Sequence, residues 1–210
     1  KNPHIKVGIS VGGWTRSGDF PEVAGNENKR KNFAKNIVKF IDYLGYDFVD
    51  IDWEYPTAQR DPDPSGSGVD KDEGCPGRPE DTETFTLLLQ EIRNELDTLG
   101  QKNNRYYELS VAMSASPALM SKIQYDKVLQ IVDFANMMTY DMNGAWNSYT
   151  AHHTALYTNE AFDHEKMLEA QYSVDNCIKY LEETYGNNID YKKAMSIALF
   201  VDGKFGSFST

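Results

Sequence analysis

The sequence predicts an α/β fold with parallel strands. Two observations carry that prediction. β-rich and helix-periodic segments alternate along the chain, and most of the β-rich segments are near-continuous apolar runs, the mark of strands covered on both faces. The first run, "IKVGISVGG" (5–13), ends in Gly12-Gly13. A helix over 26–46 follows, with Phe33, Ile37, Val38, Phe40, Ile41 and Leu44 at helical spacing and Gly45 as its stop. The second strand is "DFVDIDWEY" (47–55). The connection over 56–79 is rich in Pro, Gly and Asp and reads as a solvated loop, because its "VDKDEG" lacks the spacing of a calcium loop. A helix over 80–100 comes next, acidic in its first turn and closed by Gly100. The remainder reads as a strand (106–115), a short helix (121–132), a strand (133–142), a loop (143–165), a helix (165–185) and a final strand (191–200).

Five parallel strands can open either a doubly wound sheet or a (β/α)8 barrel. No G-x-G-x-x-G follows the first strand, which removes the main pointer to a dinucleotide fold. Acidic residues gather instead at the C-terminal end of a strand, where barrels keep their chemistry. The expectation is a single domain over 1–210 that supplies part of a barrel. Open strand edges in such an arc would call for further barrel segments or a larger assembly.

With 210 residues, 40% hydrophobic and 12% aromatic, the composition suits a folded globular domain. A net charge of -11 argues against nucleic acid and anionic membranes as partners, and no run approaches the length of a membrane span. The first residues enter a strand-like run at once and do not resemble a signal peptide; a mature secreted protein, or a piece of one, would look the same. Cys75 and Cys177 are too few for a disulfide framework and have no zinc spacing, so they read as free or buried thiols.

The chemistry concentrates in "YDFVDIDWEYP" (46–56). On a strand, Phe48, Asp50, Asp52 and Glu54 share one face while Val49, Ile51 and Trp53 share the other. Taken alone, that alternation also fits an antiparallel strand with one wet face. The βαβ order around it turns the acids into a barrel, about 6.6 Å apart, with Glu54 at the mouth. A shielded row of like charges cannot all ionise, so one carboxyl stays protonated. A protonated carboxyl at a pocket mouth is what general acid catalysis on a glycosidic oxygen requires. On the residues alone, Asp52 then reads as a nucleophile.

"DFVDIDWE", with Asp47, Asp50, Asp52 and Glu54, matches the D-x-x-D-x-D-x-E pattern of family 18 glycoside hydrolases, the chitinases and their relatives. "SVGGW" (10–14) resembles that family's S-x-G-G on the third barrel strand, and "MTYD" (138–141) its sixth-strand M-x-Y-D. The resemblance implies a TIM barrel of which this chain covers strands three to seven; the segment "SIALFVDGKFG" departs from the usual ending of strand seven. It implies a chitinase cutting β-1,4 bonds between N-acetylglucosamine units, with no metal or organic cofactor, secreted from the cell, and with chitin or chito-oligosaccharides as its substrate. Glu54 would be the proton donor. Asp52 would hold the substrate's N-acetyl group, Asp50 would share a proton or hydrogen bond with Asp52, and Tyr140 would donate to the N-acetyl carbonyl. The substrate's own acetamido oxygen would attack, which replaces the reading of Asp52 as nucleophile. Met138 and Asp141 would line the subsite below the reacting sugar.

Trp14 and Trp146 follow strand ends, where aromatic faces can stack on sugar rings. Trp53 points away on strand parity and is expected in the core, while Gly12 and Gly13 suit a close backbone approach. His152 and His153 are adjacent, a poor metal pair, and read as loop residues; Asp163-His164 has no nucleophile to complete a triad. Two other activities fit the same resemblance: an endo-β-N-acetylglucosaminidase acting on N-glycans, and a chitin-binding lectin or assembly component with little turnover. Such lectins lack the acid that Glu54 supplies.

Overall fold

A computed structural model describes residues 2, 4–64, 71–158, 172–190, 193 and 196–197. The chain opens with β1 (Gly8–Gly12), a 3-10 turn at Trp14–Arg16, and α1 (Phe20–Gly25). The second helix, α2 (Glu27–Leu44), starts on Asn26, whose side chain accepts from the Lys29 amide, and stops at Gly45. Gly45 has φ 72°, and its N–H returns to the Ile41 carbonyl, as a left-handed C-cap requires. The carboxylate strand is β2 (Phe48–Asp52). Two short strands, β3 (Gln59–Arg60) and β4 (Cys75–Pro76), pair antiparallel within the long connection that follows.

The next helix, α3 (Asp81–Asn103), runs three residues past Gly100, and the left-handed residue that ends it is Asn104 at φ 49°. Gly100 stays inside the helix because the chain doubles back over it: a Cβ there would lie 2.6 Å from the Arg105 carbonyl oxygen. The remaining elements are β5 (Glu108–Ser114), α4 (Pro117–Met120), α5 (Tyr125–Ile131), β6 (Phe134–Met138), α6 (Val174–Tyr185) and β7 (Ser196–Ile197). The beginning of the helix expected over 165–185 and most of the strand expected over 191–200 lie outside the described residues, as does Asp163-His164.

All neighbouring strands of the main sheet are parallel, in the order β1-β2-β5-β6-β7. Consecutive parallel strands joined through helices form an arc of a (β/α)8 barrel. The helices cover its outer face. Val49, Ile51, Leu109, Val111 and Ala135 are each fully buried there against Ile41, Leu88, Leu89, Ile92 and Leu96. Trp53 belongs to that layer, stacked at 5.3 Å on Phe20 and edge-on at 5.7 Å to Phe85. The inner face is less covered: Phe48, Asp52 and Glu54 are half-buried where closure on both faces was expected. Phe40 and Leu44, which share the apolar spacing of α2, are each 46% exposed. Among the described residues, no helix is long and apolar enough to cross a membrane.

Candidate active site

Strand parity holds through β2. Asp50, Asp52 and Glu54 lie on the inner face, and their environments differ. Asp50 is the deepest. Its carboxylate accepts from Ser10 Oγ of β1 at 2.6 Å, from Ser110 Oγ of β5 at 2.6 Å, and from Asn136 Nδ2 of β6 at 3.3 Å. Three strands therefore aim donors at one carboxylate, an arrangement suited to its ionised form. Ser10 and Ser110 are the register partners of Asp50 on either side, so parallel pairing delivers them without any loop.

Asp52 has no such support. Its Oδ1 is buried with no hydrogen-bond partner among the described residues. Burial, the Glu54 charge and the Asp50 charge together push its carboxyl up to about 7. Burial also raises Glu54, reinforced by Asp141 and opposed by the hydroxyl of Tyr55 and the charge of Arg60. Tyr140 is half-buried just beyond β6, and burial beside these acids pushes its phenol up to about 12. Tyr55 is raised further still, for the same reasons. The site thus combines a carboxyl that accepts three hydrogen bonds, two acids raised above their usual range, and two phenols held neutral near neutral pH.

The backbone that holds this row is fixed from β1. A Cβ on Gly12, at φ 120°, would collide with the Asp52 carbonyl oxygen, so only glycine lets the strand ends come this close. Gly13 N–H then donates to that carbonyl at 2.7 Å. Ser17, fully buried, donates its hydroxyl to the Gly13 carbonyl at 2.8 Å and accepts from the Glu54 amide at 2.8 Å. Asp81 ties the chain after Glu54, accepting from Thr57 N–H at 3.1 Å and Arg78 N–H at 2.8 Å. Asp47, the first acid of the motif, serves the opposite end of β2: it accepts from Val7 N–H at 2.7 Å and pairs with Arg105.

The other predicted residues lie on β6, in the turns after it, and just after β1. Met138 is half-buried on the inner face at the end of β6. Asp141, at φ 53°, donates its backbone N–H to His153 Nε2 at 3.2 Å, and its Oδ1 lies 3.0 Å from the same nitrogen. His153 Nδ1 lies 3.2 Å from the Asn143 carbonyl, so this histidine braces the turn that carries Asp141. Trp14 is 41% exposed and Trp146 is 67% exposed, the latter lying over Gly144. An apolar groove of about 550 Å³ elsewhere, between β1 and helices α1 and α2, contains none of these acids.

One expectation is corrected. The connection over 56–79 is not simply solvated, because Asp72 is fully buried within it and bonded to Arg60, Asp63 N–H and Gly74 N–H. Cys75 and Cys177 are free and buried, as their spacing suggested.

The family model for glycosyl hydrolases family 18 matches residues 1–202. The chain belongs to glycosyl hydrolase family 18. It is 41% identical over 155 residues to chitinase A1 of Niallia circulans, a match covering 74% of this chain and 21% of that protein. Among solved structures it resembles chitinase ChiA74 from Bacillus thuringiensis, with a TM-score of 0.77 and 37% identity over 91% of this chain and 28% of that one. It also resembles a family 18 N-acetylglucosaminidase from Paenibacillus barengoltzii, with a TM-score of 0.76 and 31% identity over 92% of this chain and 50% of that one. The chain thus spans between a fifth and a half of the length of these proteins.

Sequence reasoning missed Ser17, Tyr55 and Arg60, and read His153 only as a loop residue. Ser10, Ser110 and Asn136 were within reach of parity, since each occupies an inward position of an assigned strand. Ser17 and Arg60 leave no such signal, because each joins the site through a turn or loop.

Proposed function

We propose that this chain carries the catalytic face of a chitinase, an enzyme that hydrolyses β-1,4 bonds between N-acetylglucosamine units with retention of configuration. The observation that carries the proposal is the row of three inward carboxyl groups, differently hydrogen-bonded, along one strand of a family 18 chain. Asp50 accepts from Ser10, Ser110 and Asn136, Asp52 is pushed up to about 7, and Glu54 is raised above an ordinary carboxyl. Glu54, at the mouth, protonates the leaving oxygen. The substrate's acetamido oxygen attacks the anomeric carbon, and the resulting positive oxazolinium needs a nearby anion and a hydrogen bond to hold the acetamido group in line. Asp52, with one oxygen unpartnered, supplies that acceptor, and Asp50 sits behind it on the strand. Tyr140, kept neutral, donates to the acetamido carbonyl.

Met138, Asp141, Trp14 and Trp146 contribute binding along the sugar chain. The chitinase names of the relatives support the same substrate class. Chitin is an extracellular polymer, so the reading also implies secretion.

The test is hydrolysis of a chitin tetrasaccharide by the protein that carries this chain, with the product anomer followed by proton NMR. The expected result is a disaccharide appearing first as its β-anomer. An α-anomer would overturn the mechanism. Cleavage of an N-glycan core in preference to the tetrasaccharide would overturn the substrate.

A further inference from the structure

The long connection after β2 contains a buried ion pair to which the proposed chemistry assigns no step. Arg60 is only 12% exposed and Asp72 is completely covered. The guanidinium binds both carboxylate oxygens of Asp72, with Nη2 at 2.9 Å from Oδ1 and Nη1 bonded to Oδ2. Asp72 is held in turn by the Asp63 amide at 2.6 Å and the Gly74 amide at 3.0 Å. Gly74, at φ 78°, allows the return strand to pass so close to Arg60 that a Cβ would lie 2.5 Å from the Arg60 carbonyl oxygen. Arg60 hydrogen bonds hold the Asp72 carboxyl well below its usual range. A bidentate pair with a satisfied carboxylate fixes the plane of the guanidinium, which a lysine ammonium in the same place would not do.

That fixed plane is aimed at Trp14. The guanidinium carbon lies 4.0 Å from the centroid of the indole, and Nη2 also donates to the Trp14 carbonyl at 2.5 Å. Trp14 is thereby gripped at its backbone and across its ring, yet remains 41% exposed. An aromatic ring that must stack on a sugar benefits from being immobilised beforehand, since binding then loses less side-chain freedom.

We infer that Arg60, clamped by Asp72, is a positioning residue that backs the Trp14 ring as a sugar-stacking platform, which makes the Arg60–Asp72 pair part of the substrate cleft. The inference rests on the proposed reading of the site as one for chito-oligosaccharides. Trp14 follows β1, one strand over from Glu54, so the platform serves sugar units beyond the one being cleaved. Long chains gain more from it than short ones.

Calorimetric binding of a chitin hexasaccharide and a trisaccharide to the intact protein tests this, on a Glu54→Gln background so that nothing is consumed. Arg60→Ala is expected to weaken hexasaccharide binding about 5-fold or more, the scale of a desolvated cation–π contact, and trisaccharide binding less. Arg60→Lys, which keeps the charge but not the plane, is expected to behave like Arg60→Ala. Trp14→Ala should weaken the hexasaccharide similarly, and adding Arg60→Ala to it should cost little more, because Arg60 acts through the ring.

Hexasaccharide affinity unchanged in Trp14→Ala, a side chain exposed enough to remove without unfolding, would overturn the inference. So would full rescue by lysine, additive losses in the double variant, or equal losses for both sugars. Binding that follows the expected pattern in a protein that cleaves no chitin would leave this inference standing and overturn the chitinase reading alone.

Discussion

Asp52→Asn isolates the electrostatic design of the site. In the folded chain the Asp52 carboxyl titrates at about 7, against an ordinary value of 3.8, chiefly through burial and then through the charges of Glu54 and Asp50. The shift is about three units, and each unit corresponds to about 1.4 kcal/mol, so the folded state loses about 4 kcal/mol by carrying this group when it is ionised. The sign follows from proton binding. Between pH 3.8 and about 7 the unfolded chain has released the proton while the folded chain keeps it, so stability falls as pH rises through that window and then levels off. Asparagine has the same shape and cannot ionise. Urea unfolding of both proteins at about pH 4 and about pH 8 should therefore give a stability difference that moves by about 4 kcal/mol in favour of the variant. Carboxylates outside the row titrate alike in both proteins and cancel. A difference that stays constant between the two pH values would refute the reasoning.

Three further outcomes follow from the same geometry. Because Glu54 must be protonated to act and its carboxyl lies above the ordinary 4.5, kcat/KM should fall with rising pH along a limb displaced upward from that value; a limb at the ordinary carboxyl position would contradict the assignment. Ser17→Ala leaves the Glu54 amide without its acceptor, and should lower stability by about 1–3 kcal/mol in denaturant while reducing kcat more than it raises KM. Trp53→Ala, removing a ring packed between Phe20 and Phe85, should cost about 3–5 kcal/mol of stability in the same assay.

Much of this was legible because strands write their geometry into the sequence at a period of two. The alternation through Asp50, Ile51, Asp52, Trp53 and Glu54 separates an acid face from a core face on sequence alone, and the structure keeps every one of those assignments. Gly45 was readable as a stop because the apolar spacing of its helix ends there. Gly100 was not, since its role depends on Arg105 folding back over it. The loop over 56–79 misled for a related reason. Its polarity is real, but Asp72 is buried by bonding to Arg60, Asp63 and Gly74, and no local pattern distinguishes a polar residue satisfied by its own loop from one satisfied by water. Ser17 and Arg60 reach the site from 37 and 46 residues away, from Glu54 and Trp14 respectively, distances at which composition and periodicity are silent.

The most direct test of Glu54 as the proton donor is the rate of tetrasaccharide hydrolysis by the intact protein beside its Glu54→Gln variant. Glutamine keeps the shape and the position but cannot give up a proton, so the expected result is a loss of at least about 100-fold in kcat with binding retained. A variant that cleaves at close to the parent rate would show that the acid lies elsewhere, and would contradict the catalytic role of the carboxylate row.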